Sequence, residues 1–280
     1  RVKECVNTDR TKKNTIVEIK GDYTGRFIVS DKMRGFGPYF RTGIADNFDV
    51  LDAELDRMIL SGYQNVNGNF ESKLQKSKTQ LNALETEKHL EYVAMKEEKS
   101  KIIFDEILPE FESVGMDETE ALQLANFADI EIESEKLTII DAFELAKTLL
   151  EQKMKLNRIH IHTYRYHLCV TSSDYKINKE RIKKSILFGE ACAIQMASQG
   201  SIPSLDDMRE FKLNNTHVHR LDPLERLGNK LEEDNFAAKG TYSDEQVKVA
   251  AAPTLIHEDP KRLVGMGDII SSGAYTAELK

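Results

Sequence analysis

The chain has 280 residues, 40% hydrophobic and 31% charged, which is enough to bury a core and does not fit a disordered polymer. Its 39 Lys and Arg against 47 Asp and Glu leave a formal net charge of −8, which argues against a protein built to grip a nucleic-acid backbone. No apolar run nears the roughly 18 residues of a membrane span and no signal-peptide pattern opens the chain, while three scattered cysteines (Cys5, Cys169, Cys192) without a CxxC pair read as reduced thiols of a cytoplasmic protein.

Arg1-Val2-Lys3-Glu4 is not a translation start, so a fragment, a processed form or a chain with further residues upstream is expected. Thr15-Ile16-Val17-Glu18-Ile19 reads as a strand, the turn residues Gly21 to Gly25 follow, and Arg26-Phe27-Ile28-Val29-Ser30 reads as a second strand. A glycine-rich loop over 32–43 leads to Met58-Ile59-Leu60-Ser61-Gly62, the profile of a buried parallel strand. Asn67-Gly68-Asn69 breaks the chain before a helix with Leu74, Leu81 and Leu84 on one side, and Lys73, Lys76, Lys78 and Lys88 read as a solvated face. Strands are predicted at 89–93 and 113–116, with a helix between them stopped by Pro109, and Asp117 suits the cap of the helix carrying Ala121, Leu122, Leu124 and Ala125. Another helix follows through Ile140, Phe143, Ala146 and Leu149. RIHIHTYRYHLCVT at 158–171 reads as a strand pair or one broken strand, and 181–198 as an amphipathic helix. Residues 203–240 are polar and ambiguous, strand character returns at 247–256, and a small-residue helix spans 269–279. Strands alternating with helices predict an α/β fold, a mostly parallel sheet with helices on both faces.

The sharpest chemical feature is Val264-Gly265-Met266-Gly267-Asp268-Ile269-Ile270-Ser271-Ser272-Gly273-Ala274. Two glycines allow a tight turn after a strand and close approach to a ligand. The amides opening the next helix favour an anion. Asp268 at that mouth is placed to take a proton from a substrate hydroxyl while the amides hold a transferring phosphoryl group. The same residues also suit an ordinary strand-to-helix turn with an Asp cap. Ser271 to Ala274 let the helix pack closely on the sheet. His89 and Glu91, two apart on a strand, face one way; Asp117 and Glu120, three apart at a helix start, share a face. Both pairs lie at the carboxyl edge, where open α/β sheets bind ligands, and their oxygens suit a hydrated Mg²⁺ held by few carboxylates and by phosphates. Read locally, Glu118 and Glu120 only favour a helix N-terminus and Glu91 is a solvated strand residue. His160, His162 and His167 lack structural-zinc spacing. His160 and His162 share a strand face continued by Tyr164 and Tyr166, at a sheet edge or lining a flat ligand such as a purine.

Taken together, GRFIVS at 25–30, ILSGYQ at 59–64, HLE at 89–91, GMDETE at 115–120, RIHIHTYRYHL at 158–168, APT at 252–254 and VGMGDIISSGA at 264–274 resemble the ADP-dependent sugar kinases of archaea, phosphofructokinase and glucokinase, within the ribokinase-like superfamily. The resemblance runs from about Thr15 to the C-terminus. It implies Mg²⁺-dependent phosphoryl transfer from ADP to a sugar hydroxyl with release of AMP, Asp268 being the catalytic base and the amides of Gly265, Met266, Gly267 and Asp268 the anion hole. Glu91 of the family's HxE motif and Glu120 of its NxxE motif, with His89 and Asp117, would organise the metal through its waters. Nucleotide contacts are expected from His162, Thr163, Tyr164, Pro253, Thr254 and Val264, and contacts to a sugar or sugar phosphate from Arg26, Arg34, Gln64 and Asp268, with Lys32 nearby. HTYRY and SGYQ are nearest to the methanogen phosphofructokinase or bifunctional branch, which implies fructose 6-phosphate as acceptor in a modified glycolysis.

Residues 1–30 would then be the last strands of a small β lid domain, and 31–280 the large nucleotide-binding domain, with the family's earlier strands upstream. The sequence departs from the family pattern in having Asp117 where the family has Asn and Ile269 where it usually has Thr. Other outcomes stay open: a glucokinase or bifunctional enzyme, a nucleotide-binding fragment without catalysis, or a kinase using ATP. Neither nucleic acid nor membrane is expected as a partner, and the oligomeric state is left open.

Overall fold

The computed structural model describes residues 2–6 and 15–19 as backbone and residues 37–279, except 67, 133, 135 and 154. Two compact units divide the chain, Arg1–Phe36 and Gly37–Lys280. In the first, β1 (Val2–Val6) pairs antiparallel with β2 (Thr15–Ile19). The strand predicted at 26–30 and the candidates Arg26, Lys32 and Arg34 lie outside the described residues.

The second unit runs through α1 (Thr42–Ala45), α2 (Phe48–Glu54), β3 (Arg57–Leu60), α3 (Phe70–Ala83), β4 (Glu87–Glu91), α4 (Glu97–Ile102), β5 (Ser113–Met116), α5 (Glu118–Phe127), α6 (Ile139–Gln152), β6 (Arg158–His162) and β7 (Tyr166–Ser172). It continues with α7 (Lys179–Gln199), α8 (Leu205–Arg209), β8 (Thr216–Val218), α9 (Asp222–Lys230), α10 (Phe236–Lys239), β9 (Thr241–Ser243), β10 (Val247–Pro253), β11 (Leu255–His257) and α11 (Met266–Ala277). The main sheet has seven strands in the order β3-β4-β5-β6-β7-β10-β9, and β8 and β11 form a separate pair. β3 to β6 are mutually parallel, and β10, antiparallel to β7, points the same way. The sheet is therefore mostly parallel, as the alternation of strands and helices predicts. The ambiguous stretch 203–240 resolves into short helices and β8, too brief for periodicity to betray.

Period-two alternation gives the sheet two unlike faces. Leu90, Val114, Met116, Ile159, Ile161, Leu168, Val170, Val249 and Ala251 form one, a continuous apolar core beneath α5, α6 and α9. The opposite face carries His89, Ser113, Arg158, His160, His162, His167 and Thr171, all buried, beneath α7 and α11.

Several sequence expectations change here. β6 lies inside the sheet, not at its edge, and the predicted stripe from His160 to Tyr166 is broken by the tight hairpin at 163–165, which pairs His162 with His167. Tyr164 sits exposed at the hairpin and Tyr166 is buried with its hydroxyl donating to the Leu137 carbonyl. Lys88 is not on a solvated helix face. It is buried on β4, its ammonium capping the Leu84 and Thr86 carbonyls and facing Glu112 at 3.4 Å.

His160 is fully buried and neither ring nitrogen meets a hydrogen-bond partner among the described residues. Burial, reinforced by the Arg158 charge, pushes its pKa well below the ordinary 6.5. The folded chain refuses a proton that the unfolded chain accepts below about pH 6.5, so stability is full above that pH and falls as pH drops. His160→Met should therefore raise stability at pH 7 by about 1–3 kcal/mol, the cost of an unsatisfied buried polar group. It should also flatten the loss between pH 6 and pH 5 by about 1 kcal/mol, since a full proton is worth about 1.4 kcal/mol per pH unit. Urea unfolding at the two pH values checks both; an equal pH dependence of the variant and parent would contradict the assignment.

Candidate active site

The strands that run together end at one edge of the sheet, which places Gln64 in the turn after β3, Glu91 at the end of β4, Asp117 after β5, His162 and Thr163 at the end of β6, and Pro253 and Thr254 at the end of β10. α11 lies across the polar face with its N-terminus at this edge. Ser271 Oγ meets His89 Nε2 at 3.0 Å there, while Glu278, just past its last turn, meets Arg57 and Arg158 at the starts of β3 and β6.

The helix begins at Met266, three residues earlier than the spacing predicts, so Asp268 stands inside its first turn and is not its cap. The N-cap is Gly265, which adopts φ +82° and contributes no side-chain cap. β11 ends at His257, so a loop and not a strand leads into the turn. The amides of Met266, Gly267 and Asp268 precede the first intrahelical bond, from Ile269 N–H to the Gly265 carbonyl, and present the anion-binding end of the helix. Asp268 is exposed there, yet partial burial still raises its pKa above the ordinary carboxylate value. Of the small residues, Ser271 faces the sheet, Gly273 meets Gly189 of α7, and the Ser272 hydroxyl turns back to the Asp268 carbonyl.

Gly267 is where the helix comes closest to β6. A Cβ built on it would lie 2.7 Å from His162 Nε2, inside contact distance. Gly267→Ala should force the first turn of α11 away from His162 and cost about 1–3 kcal/mol of stability, the usual effect of overpacking. A thermal unfolding curve would test this; an unchanged curve would show that the ring yields instead.

Glu91 is buried, its Oε2 3.4 Å from His89 Nε2 and its Oε1 3.8 Å from His162 Nε2. Burial pushes its pKa well above the ordinary range, and the charges of Asp268 and Glu120 push the same way. It is not the solvated strand residue that local reading allows. Gly115 on the neighbouring strand makes room for it, since a Cβ there would stand 2.5 Å from Glu91 Oε2. Asp117 caps α5 in a reciprocal box: its Oδ1 accepts from Glu120 N–H at 2.9 Å, and Glu120 Oε2 accepts from Asp117 N–H at 2.7 Å. Glu120 Oε1 accepts from Ala94 N–H, and burial with the Asp117 charge raises its pKa to about 7. His162 is held neutral by burial, its pKa lowered to about 3.

No set of three or more His, Cys, Asp or Glu side chains gathers among the described residues to hold a metal ion directly. The charges of Asp268 and Glu120 nevertheless help raise the pKa of Glu91, and the charge of Asp268 helps raise that of Glu120. That donor set fits a cation that keeps its waters and leans on phosphate oxygens, and it does not fit a caged structural ion.

The predicted nucleotide contacts do not all present themselves equally. The Thr163 hydroxyl is consumed in the hairpin, donating to the Tyr166 carbonyl, and the Thr254 hydroxyl donates to the Thr163 carbonyl. His162 faces Gly267 and Glu91 and is buried. Tyr164 offers an exposed ring, 5.7 Å from that of His219, and Val264 is exposed beside Gly265. Sequence reading missed an open pocket of about 610 Å³ lined by Gln195, Lys212, Asn214, His257, Asp259 and Lys261 among others. Its residues come from three separated segments, two of them without periodic signal.

Residues 11–277 match the family described as the ADP-specific Phosphofructokinase/Glucokinase conserved region. Over 272 residues the chain is 28% identical to an ADP-specific phosphofructokinase of Thermococcus zilligii, covering 92% of this chain and 57% of that protein. It is likewise 28% identical over 272 residues to an ADP-dependent glucose/glucosamine kinase of Pyrococcus furiosus, covering 94% and 58%. Among solved structures it is similar in fold to the last common ancestor of ADP-dependent phosphofructokinases from Methanosarcinales, with a TM-score of 0.75 at 24% identity over 87% of this chain and 55% of that one. The chain thus spans a little over half the length of the proteins it matches. A match over nearly all of its length means that the chain belongs to the ADP-specific phosphofructokinase/glucokinase family.

Proposed function

We propose that the protein transfers a phosphoryl group from ADP to a sugar hydroxyl in a Mg²⁺-dependent reaction that releases AMP, with fructose 6-phosphate as the acceptor and the cytoplasm as its place of work. The observation that carries this is Asp268 in the first turn of α11, beside the amides that precede the first intrahelical bond and near enough to the buried Glu91 and Glu120 for its charge to raise their pKa values. The amides of Gly265, Met266, Gly267 and Asp268 would hold the phosphoryl oxygens while the Asp268 carboxylate accepts the proton of the attacking hydroxyl. Magnesium, when bound, neutralises phosphate charge; Glu91 and Glu120 would hold it through its waters, with His89 and Asp117 fixing those two carboxylates. The exposed ring of Tyr164 would offer a face to the base, and His162, Thr163, Pro253, Thr254 and Val264 would border the path to the phosphates. Gln64 stands at the same edge on the side of β3, within the region proposed for the sugar, and Arg26 and Arg34 would add the cations that a sugar phosphate requires. Residues 1–30, which include the β1–β2 pair, are proposed as the end of a lid domain.

Phosphorus NMR of the protein with Mg·ADP and either fructose 6-phosphate or glucose tests the proposal, with ATP in place of ADP as the donor control. Fructose 6-phosphate-dependent AMP is the expected result. AMP formed with glucose alone would reassign the acceptor, turnover with ATP alone would reassign the donor, and no AMP under any condition would reduce the role to nucleotide binding.

A further inference from the structure

Three neighbouring strands place Arg158, Ser113 and His89 in one row across the sheet, Arg158 opposite Ser113 and Ser113 opposite His89. All three are fully buried. Arg158 Nη1 donates to Ser113 Oγ at 3.2 Å, and Ser113 Oγ lies 2.7 Å from His89 Nδ1. On the far side of the ring, His89 Nε2 lies 3.0 Å from Ser271 Oγ and 3.4 Å from Glu91 Oε2, and the Ser271 hydroxyl bonds Glu91 in turn.

The direction of this chain follows from donor and acceptor counts. A guanidinium can only donate. Ser113 Oγ therefore accepts from Arg158, and the acceptor within reach for its own hydrogen is His89 Nδ1. A ring that accepts at Nδ1 has no hydrogen there and so carries its hydrogen on Nε2. That hydrogen points at Ser271 and Glu91. The reverse arrangement would set the Ser113 hydrogen between two donors, Arg158 Nη1–H and His89 Nδ1–H.

We propose that Ser113 and Arg158 are positioning residues: they lock His89 in the Nε2–H tautomer, so that a one-way series of donors, Arg158 to Ser113 to His89 to Ser271, ends on the Glu91 carboxylate and fixes its orientation at the active-site edge. The placement of hydrogens stands on the geometry alone; only its kinetic consequence rests on Glu91 serving the phosphoryl transfer. Aligned donors strengthen one another in a buried setting, which makes the series stiffer than its separate bonds.

The test is a long-range ¹H–¹⁵N correlation spectrum of the full chain labelled with ¹⁵N-histidine, His89 being assigned by its loss in His89→Asn. The expected spectrum shows His89 with an unprotonated Nδ1 and a protonated Nε2. Ser113→Ala should shift the Nδ1 resonance or admit the other tautomer, and Ser113→Thr, which restores a hydroxyl, should bring the parent signal back. In the same proteins Ser113→Ala should lower kcat by about 10–100-fold, with the KM for ADP within about twofold of the parent and an unchanged fold by circular dichroism. A parent His89 protonated on Nδ1, or one whose resonances ignore Ser113→Ala, overturns the proposal. A parent that shows the predicted tautomer but makes no AMP leaves the hydrogen placement standing and sinks the kinase reading, so the two failures are told apart.

Discussion

Glu278→Ala should cost about 3–5 kcal/mol of stability, the effect of stripping one partner from a buried ion pair. Glu278 is almost fully buried behind α11, and its carboxylate joins two guanidinium groups that enter from the starts of β3 and β6. Arg158 Nε donates to Oε1 at 2.8 Å, Arg57 Nη1 donates to Oε2 at 3.1 Å, and the Tyr175 hydroxyl donates to Oε2 at 2.8 Å. Alanine would leave Arg158 charged in the interior with Ser113 as its remaining side-chain hydrogen-bond partner among the described residues, beside the Tyr275 ring at 5.2 Å. Such a loss is a large part of the roughly 5–15 kcal/mol that holds a domain folded. Urea titration with an unchanged m-value reads it directly. Removing the cation as well, in Glu278→Leu with Arg158→Met, should recover much of it, because an apolar pair of similar volume avoids the desolvation of both charges. A loss below about 1 kcal/mol for Glu278→Ala, the range of exposed pairs, would mean that the pair is hydrated.

Asp268→Asn should lower turnover by about 10²–10⁴-fold while leaving the affinity for ADP nearly unchanged, the signature of a base that acts only as the hydroxyl proton departs. The amide keeps the size of the side chain and the helix-opening geometry but cannot take the proton. Because burial raises the Asp268 pKa, the parent should lose activity as pH falls through that raised value, where the base becomes protonated. Activity should be full above it, and this acid limb should disappear from the residual rate of the variant. Isothermal titration with ADP and a pH–rate series separate the two statements. If ADP binding collapsed along with turnover, Asp268 would belong to nucleotide binding.

What the sequence discloses about this molecule depends on how local the physics is. The strand Ser113–Met116, the Asp117 cap, the amphipathic α7 and the pairing of β6 with β7 are all marked by residues within a turn or two of one another. The facing of His89 with Glu91 follows from strand periodicity alone. The start of α11 was displaced because Gly265 and Gly267, weak helix formers, open the helix for reasons of backbone angle and close approach. Lys88 resembles its neighbours in composition, and only the turn that folds back to its ammonium removes it from water. Arg158 and Glu278 are 120 residues apart, and Arg57 and Glu278 are 221 apart, so no spacing rule could join them. The open pocket near Lys212 and Lys261 escaped for the same reason.

α11 is 12 residues long, about 18 Å at the usual rise, and polar contacts at its middle and at its C-terminal end fasten it to three different strands, β4, β3 and β6. A helix tied at one end can peel away alone, exposing its amides to exchange at a small fraction of the global free energy. Here the C-terminal end holds Arg57 and Arg158 while the middle holds His89, so detaching either part leaves buried charges or hydrogen-bonding groups without those partners. Amide deuteration in 270–277 should therefore proceed only when β3, β4 and β6 come apart with it, and this part of the helix behaves as a member of the sheet's own cooperative unit.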